Sequence, residues 1–227
     1  MNIAYNMDCM EYMRLCPDGA FELAIVDPVY GDVGKGGYMR NKSTGGVAVH
    51  KKYNTALWKQ PKTGPEYFQE LFRVSKNQII FGANYFPAEI GKPSQGWIIW
   101  DKCHPEGLKF ADCEIAFSSF DTAARIFKYK WNGMLQENMS NKEIRIHPTQ
   151  KPVALYSWLL QRYAKPGDKI LDTHLGSGSS RIAAYDLGFD FVGLEIDVDY
   201  FKAQEARYLN HIAQGNLFVD NPTVTQA

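Results

Sequence analysis

Residues 169–195 read KILDTHLGSGSSRIAAYDLGFDFVGLE, and the fold follows from how that stretch is parsed. The apolar run ending on Asp172 reads as a buried strand, and Gly176 and Gly178 stand in a serine-rich loop. SSRIAAYDLG has a helical pattern, and FDFVGLEID is a second apolar strand ending on Glu195. Small residues between a strand and a helix let the backbone approach a ligand, with the helix amides pointing at it. An acid closing the next strand, nineteen residues after Gly176, is placed to accept ribose hydroxyls in a doubly wound nucleotide fold. A tight strand–helix turn with a surface acid is the plainer reading of the same letters, but strand, GxG, helix, strand and terminal acid together favour a nucleoside site.

The dinucleotide fingerprint wants a small residue three positions after the second glycine, and here that residue is Arg181. The GKS or GKT ending of a phosphate-binding loop is absent as well. A ligand with ribose and adenine but no phosphate fits better, and S-adenosylmethionine is such a ligand. Its ammonium group could be met by a carboxylate such as Asp172.

Upstream, NIAYNMD is read as a strand ending on Asp8, CMEYMRLC as a helix, and FELAIVD as a buried strand that runs into DPVY, residues 27–30. PEYFQELFRVS is helical; NQIIFGANYF, GWIIWDK and CEIAFSSF are strands, the last two pairing antiparallel at a sheet edge. Pro152 suits the first turn of a helix running to about Ala164. VDYFKAQEARYLNHIAQ is a last amphipathic helix, and residues 216–227 read as a flexible tail. Near-continuous apolar strands alternating with helices predict an α/β fold with a mostly parallel sheet covered on both faces. The 227 residues, 45% hydrophobic and 22% charged, suit a single domain that spans 1–227 and carries insertions.

The formal net charge is zero, so bulk electrostatics announce neither nucleic acid nor membrane. The balance conceals a local excess. Residues 31–62 hold Lys35, Arg40, Lys42, Lys51, Lys52, Lys59 and Lys62 against Asp32, a net +6 in a long stretch with no periodicity. Residues 121–146 read as a second irregular segment, in which Arg125, Lys128, Lys130 and Arg145 are interleaved with Phe127, Tyr129 and Trp131. The four cysteines (Cys9, Cys16, Cys103, Cys113) lack the paired short spacings of a zinc site, so free thiols and no metal are expected. Acids interrupt the N-terminal stretch where a signal peptide needs an apolar run, and no run approaches the ~18 residues of a membrane span. The expectation is a soluble, cytoplasmic protein.

With these strings in view the chain resembles the DNA amino-methyltransferases that methylate exocyclic amines of adenine or cytosine, of phage, prophage or restriction-modification type. DPVY looks like the family's D-P-P-Y catalytic motif, HPTQKP (147–152) matches a cofactor-binding segment, and LDTHLGSGSS looks like the L-D-P-F-L-G-S-G-T-T loop. GLEID matches the ribose-binding strand end, and NMDC resembles a Gly-Asp-Cys stretch whose acid lies near the cofactor's adenine. The catalytic motif precedes the cofactor loop, which is the order of the β group. Val29 replaces the second proline, and Thr173-His174 replace Pro-Phe.

The resemblance implies a Rossmann-like methyltransferase fold with a seven-stranded sheet, S-adenosylmethionine as cofactor and DNA as partner, with a homodimer as many relatives form. It implies Asp27, Pro28 and Tyr30 as catalytic residues. Asp8, His147, Thr149, Lys151, Asp172, His174, Gly176, Ser177, Gly178 and Glu195 would hold the cofactor. Residues 31–62 and 121–146 would recognise the target, with Lys35, Arg40, Lys42, Lys51, Lys52, Lys128 and Lys130 on DNA phosphates. The aspartate of DPVY leans the reading toward adenine N6 over cytosine N4. A non-catalytic DNA-binding relic of the fold is the rival reading; a relic has no reason to keep Asp27, Tyr30, Asp172 and Glu195 together.

Overall fold

A computed structural model describes residues 1–31, 61–105, 111–132 and 135–219, the side chains of 215–219 excepted. Five of the basic residues read as DNA contacts (Lys35, Arg40, Lys42, Lys51 and Lys52) lie outside the described residues, as does the tail from residue 220.

The strands are β1 (Asn2–Tyr5), β2 (Phe21–Val26), β3 (Ser75–Phe81), β4 (Ile98–Asp101), β5 (Cys113–Ser118), β6 (Arg125–Lys128), β7 (Trp131–Asn132), β8 (Leu135–Gln136), β9 (Lys169–Asp172) and β10 (Asp190–Leu194). The helices are α1 (Cys9–Leu15), α2 (Pro65–Val74), α3 (Pro87–Ile90), α4 (Val153–Tyr163), α5 (Ser179–Asp186) and α6 (Val198–Val219). Eight strands form one sheet in the order β1-β10-β9-β2-β3-β5-β4-β6, and β7 pairs with β8 separately. From β1 to β3 all neighbours are parallel. β5 runs antiparallel to both β3 and β4, and β6 lies parallel to β4.

The α/β class and mostly parallel sheet agree with the sequence reading, and four details are corrected. Among the described residues the sheet has eight strands, not seven. The antiparallel pair β4–β5 is not the edge, because β6 lies outside it in a segment read as irregular. The first strand ends at Tyr5, and Asp8 instead caps α1, its side chain accepting from the Met10 amide at 2.6 Å. The last helix also continues to Val219.

Strand alternation builds two cores, one on each face. In β2, Leu23 and Ile25 join the α4 residues Leu155 and Leu159, while Ala24 and Val26 join the α2 residues Phe68 and Leu71 on the opposite face. Helix α2 begins with Pro65 and buries Tyr67, Phe68, Leu71 and Val74 along one stripe. Phe68 is fully buried, and removing its ring would cost about 3–5 kcal/mol.

This connectivity places the site. From β2 the chain passes through α2 to β3 on one side, whereas from β9 it passes through α5 to β10 on the other. β2 and β9 are parallel neighbours, with Leu23 opposite Ile170 and Ala24 opposite Leu171. Their carboxyl ends therefore form a topological switch point, the usual ligand position in open α/β sheets. Asp27 follows one strand and Asp172 ends the other.

Candidate active site

At the end of β2, the two carboxylate oxygens of Asp27 have different partners. Oδ1 accepts from the Tyr30 hydroxyl and Oδ2 from the Lys151 ammonium. Tyr30 stacks on Tyr85 with centroids 5.0 Å apart and meets the edge of Phe86. Burial first, then the Asp27 charge, holds its phenol well above the ordinary tyrosine range, so it remains a donor. Val29 is pinned by Thr63, whose amide and hydroxyl donate to the Val29 carbonyl at 3.0 and 3.1 Å. Those bonds supply stiffness that a second proline would otherwise give.

The GANYF string after β3 is the seat of Tyr30. Gly82 has φ +64°, and a Cβ there would stand 2.1 Å from the Tyr30 ring. Tyr85 and Phe86 come from the turn that follows. Asn84 in the same string is exposed. Contact across more than fifty residues of chain is what the sequence could not display.

The glycine loop after β9 is braced from both sides. Glu195 accepts from the Gly176 amide at 2.8 Å through Oε2 and from the Asp197 amide at 2.9 Å through Oε1. It is buried, and burial raises its pKa above the ordinary glutamate value despite these bonds. From α6, Arg207 donates to the Ser177 carbonyl at 2.7 Å and to Ser179 Oγ at 2.9 Å, and it pairs with Glu143 at 2.7 Å. The Ser177 hydroxyl lies 3.1 Å from that of Ser179. Gly178 has φ +73°, and a Cβ on it would press to 3.1 Å from Gln204 of α6. Arg181 is buried and satisfied structurally, by Asn2 at 2.9 Å, Gln204 at 3.1 Å and Glu205.

Asp172, expected to meet the cofactor's ammonium, accepts from protein donors in this structure. It is 2% exposed, accepting from Ser180 Oγ at 2.5 Å and the His174 amide at 3.0 Å, so it ties the loop to α5. Burial pushes its pKa up to about 7. His174 is a satisfied loop histidine, its Nδ1 2.9 Å from Thr173 Oγ1 and its ring against the edge of Tyr67. Burial lowers its pKa to about 4.

HPTQKP joins the two halves. The His147 ring packs beside Gly176, 3.6 Å from where a Cβ would be, and against Tyr200 at 4.3 Å. Burial lowers its pKa to about 4, so it is neutral at pH 7. Thr149 is exposed, its hydroxyl 3.1 Å from His147 Nδ1. Four residues after His147, Lys151 leaves the glycine loop altogether. Its ammonium is bound to Asp27 and, at 3.1 Å, to Glu114. In this structure Lys151, expected as a cofactor contact, is paired with the Asp27 carboxylate.

Lys128 and Lys130 are exposed, Lys128 on the outermost strand β6 and Lys130 just after it. The aromatics around them face inward. Trp131 is buried and donates to the Gln150 carbonyl at 2.9 Å, while Phe127 and Tyr129 stack on each other and pack on the core. Lys62, from the first basic stretch, is held by Glu89 at 2.6 Å.

With this geometry in place, comparison with known proteins is decisive. A DNA methylase profile, N6_N4_Mtase, matches residues 47–206. The chain belongs to this DNA methylase family. The matched span contains HPTQKP, the glycine loop and Glu195, while Asp27–Tyr30 lies just before it. Among curated relatives, the type II methyltransferase M2.DpnII of Streptococcus pneumoniae is 36% identical over 77 residues, 34% of this chain and only 28% of that protein. M.HinfI of Haemophilus influenzae is 21% identical over 244 residues, 91% of this chain and 68% of that protein. The crystal structure of an M1.HpyAVI–SAM complex superposes with a TM-score of 0.57 at 21% identity, covering 91% of this chain and 100% of that one. PvuII DNA methyltransferase, described as cytosine-N4-specific, gives 0.59 at 12% identity, covering 92% and 86%. At such identities the solved structures establish the shared fold. Among the described residues of this family member, no group of three or more His, Cys, Asp and Glu could hold a metal ion, and no helix is long and apolar enough to cross a membrane.

Proposed function

We propose that this DNA methylase transfers a methyl group from S-adenosylmethionine to the exocyclic N6 amine of an adenine flipped out of duplex DNA. The observation that carries the reading is the position of Asp27 beside the braced glycine loop, at the switch point of the sheet. The residues present fit the cofactor. A cradle without side chains at Gly176 and Gly178 lies between His147 and Gln204, and the Glu195 carboxylate keeps lone pairs beyond those used by two amides. His147, Gly176, Ser177, Gly178 and Glu195 would hold it. Asp8 and Thr149 stand as further candidates, the first at the start of α1 and the second beside His147. When bound, S-adenosylmethionine supplies an electrophilic methyl on a positively charged sulfur.

The adenine amine is a poor nucleophile because its lone pair is delocalised into the ring. Asp27 accepts a hydrogen bond from one N–H and the Pro28 carbonyl from the other, which favours a tetrahedral nitrogen with its lone pair directed outward. Proline's locked φ helps aim that carbonyl. The Tyr30 ring, seated on Gly82 and Tyr85, provides the stacking face for a base that must leave the duplex to react. Holding amine and methyl donor in line supplies much of the rate. Phosphate contacts come from the basic stretches, Lys128 and Lys130 among them.

The carboxylate opening of DPVY favours adenine. Methylation of cytosine N4 is the second reading, since the chemistry is shared and the fold is also that of a protein described as cytosine-N4-specific. Incubating the protein with DNA and methyl-labelled cofactor, digesting and separating the nucleosides distinguishes them. Label is expected in N6-methyldeoxyadenosine; label in N4-methyldeoxycytidine would overturn the adenine assignment, and no label in DNA would overturn the activity.

A further inference from the structure

Beside Asp27 the structure holds a row of charges of alternating sign that no sequence motif marks. Lys151 binds Asp27 Oδ2 and forms an ion pair with Glu114 Oε2 at 3.1 Å. The second Glu114 oxygen, Oε1, binds Lys102 at 2.7 Å. The four groups come from just after β2, the segment before α4, the start of β5 and just after β4. Glu114 sits opposite Trp100 in the β4–β5 register. The Lys151 side chain is 3% exposed and lies 4.8 Å over the Phe81 ring.

An ammonium this deeply buried requires anions, and its three N–H donors need separate directions. Burial opposes its charge, but Asp27 and Glu114 outweigh burial and hold it well above the ordinary lysine range. Burial likewise disfavours the Glu114 anion, but Lys151 and Lys102 prevail and lower its pKa to about 2. With a single carboxylate beside it, Lys151 would be free to draw both Asp27 oxygens onto itself. Glu114 Oε2 holds the ammonium from a second carboxylate by charge, as an ion pair at 3.1 Å without hydrogen-bond geometry, and Lys102 fixes Glu114 in turn. Lys151 then engages only Oδ2, and Oδ1 faces a neutral donor, which in this structure is the Tyr30 hydroxyl.

We propose that Glu114 is a positioning residue that acts through Lys151 to fix the rotation of the Asp27 carboxylate, so that Oδ1 is the oxygen offered to the substrate amine. The proposal rests on the amine-methylation reading. It assigns Lys151 to orienting the acceptor and the Tyr30 hydroxyl to holding the place that an amine N–H takes in the complex.

Glu114→Gln and the double variant Glu114→Gln/Lys151→Met test this by steady-state turnover on DNA, cofactor calorimetry and thermal unfolding. The double variant leaves no unpaired ammonium at position 151, which guards against simple failure to fold. Both are expected to lose about tenfold or more in kcat, as a misoriented reacting group does, with KM for DNA and cofactor Kd within about twofold of wild type. A folded variant with wild-type kcat, or a loss that appears in cofactor affinity instead, would overturn the assignment. If the wild-type protein labels no DNA, the methylation reading falls, and the pairing is still decided in the unliganded protein by proton–nitrogen NMR. A slowly exchanging lysine ammonium signal, identified by its loss in Lys151→Arg, is expected to disappear in Glu114→Gln. A signal that persists unchanged would overturn the role given to Glu114.

Discussion

The ring of Tyr30 occupies the space that a side chain on Gly82 would need, with Cε1 only 2.1 Å from the position of a Cβ. Gly82 also has φ +64°, where an ordinary residue is strained by about 1–2 kcal/mol. Gly82→Ala therefore displaces Tyr30 and, through its hydroxyl, Asp27. We expect turnover to fall by about 10²-fold and the melting temperature to drop by several degrees, with cofactor affinity preserved. Calorimetry with S-adenosylmethionine beside a transfer assay would check this, and a loss of cofactor binding would contradict it.

Glu195 and Gly176 form the corresponding pair on the side proposed for the cofactor. The carboxylate receives two backbone amides, from Gly176 at 2.8 Å and Asp197 at 2.9 Å. Glu195→Gln replaces one acceptor oxygen with a donor that faces an N–H. Hydrogen bonds to charged groups contribute about 1.5–3 kcal/mol, so cofactor Kd should rise by about one to two orders of magnitude. Turnover at saturating cofactor should change far less. An unchanged Kd would remove Glu195 from the cofactor site.

Asp172 predicts an unusual pH dependence. Below pH ~4 it is protonated in the folded and unfolded states alike. Between there and about 7 the folded protein keeps a proton that the unfolded chain releases, so this group's contribution to stability falls as pH rises. His147 and His174, both lowered to about 4, act oppositely and add stability between pH ~4 and ~6.5. In Asp172→Asn this contribution is lost while those of the other groups, the histidines included, remain. Relative to wild type, the melting temperature of the variant should shift upward steadily from pH 4.5 to 7.5. A pH-independent difference would contradict the buried, protonated form.

What the sequence displayed follows from what is local. The strand ending at Val26, the glycine loop, Glu195 and the helix beginning at Val153 are each set by neighbouring residues, through alternation, turn chemistry and proline. β6 escaped because it has four residues, three of them exposed, and shows no alternation. The partners of Lys151 escaped for another reason. Asp27 lies 124 residues before it, and only the sheet order brings β2, β5 and the end of β4 together around one ammonium. Asp172 shows a third limit: its position at the end of β9 was legible, while the direction of its carboxylate is set by Ser180 and the His174 amide.

The central claim is that the carboxylate following β2 holds the amine and does not hold the cofactor. Asp27→Ala, assayed for methyl transfer to DNA and for S-adenosylmethionine affinity in the same preparation, tests it most directly. The account predicts that transfer falls by about 10²–10³-fold or more, as when a preorganised hydrogen-bonding partner of the transition state is removed, while cofactor Kd stays within about twofold. Turnover retained near the wild-type rate would contradict it.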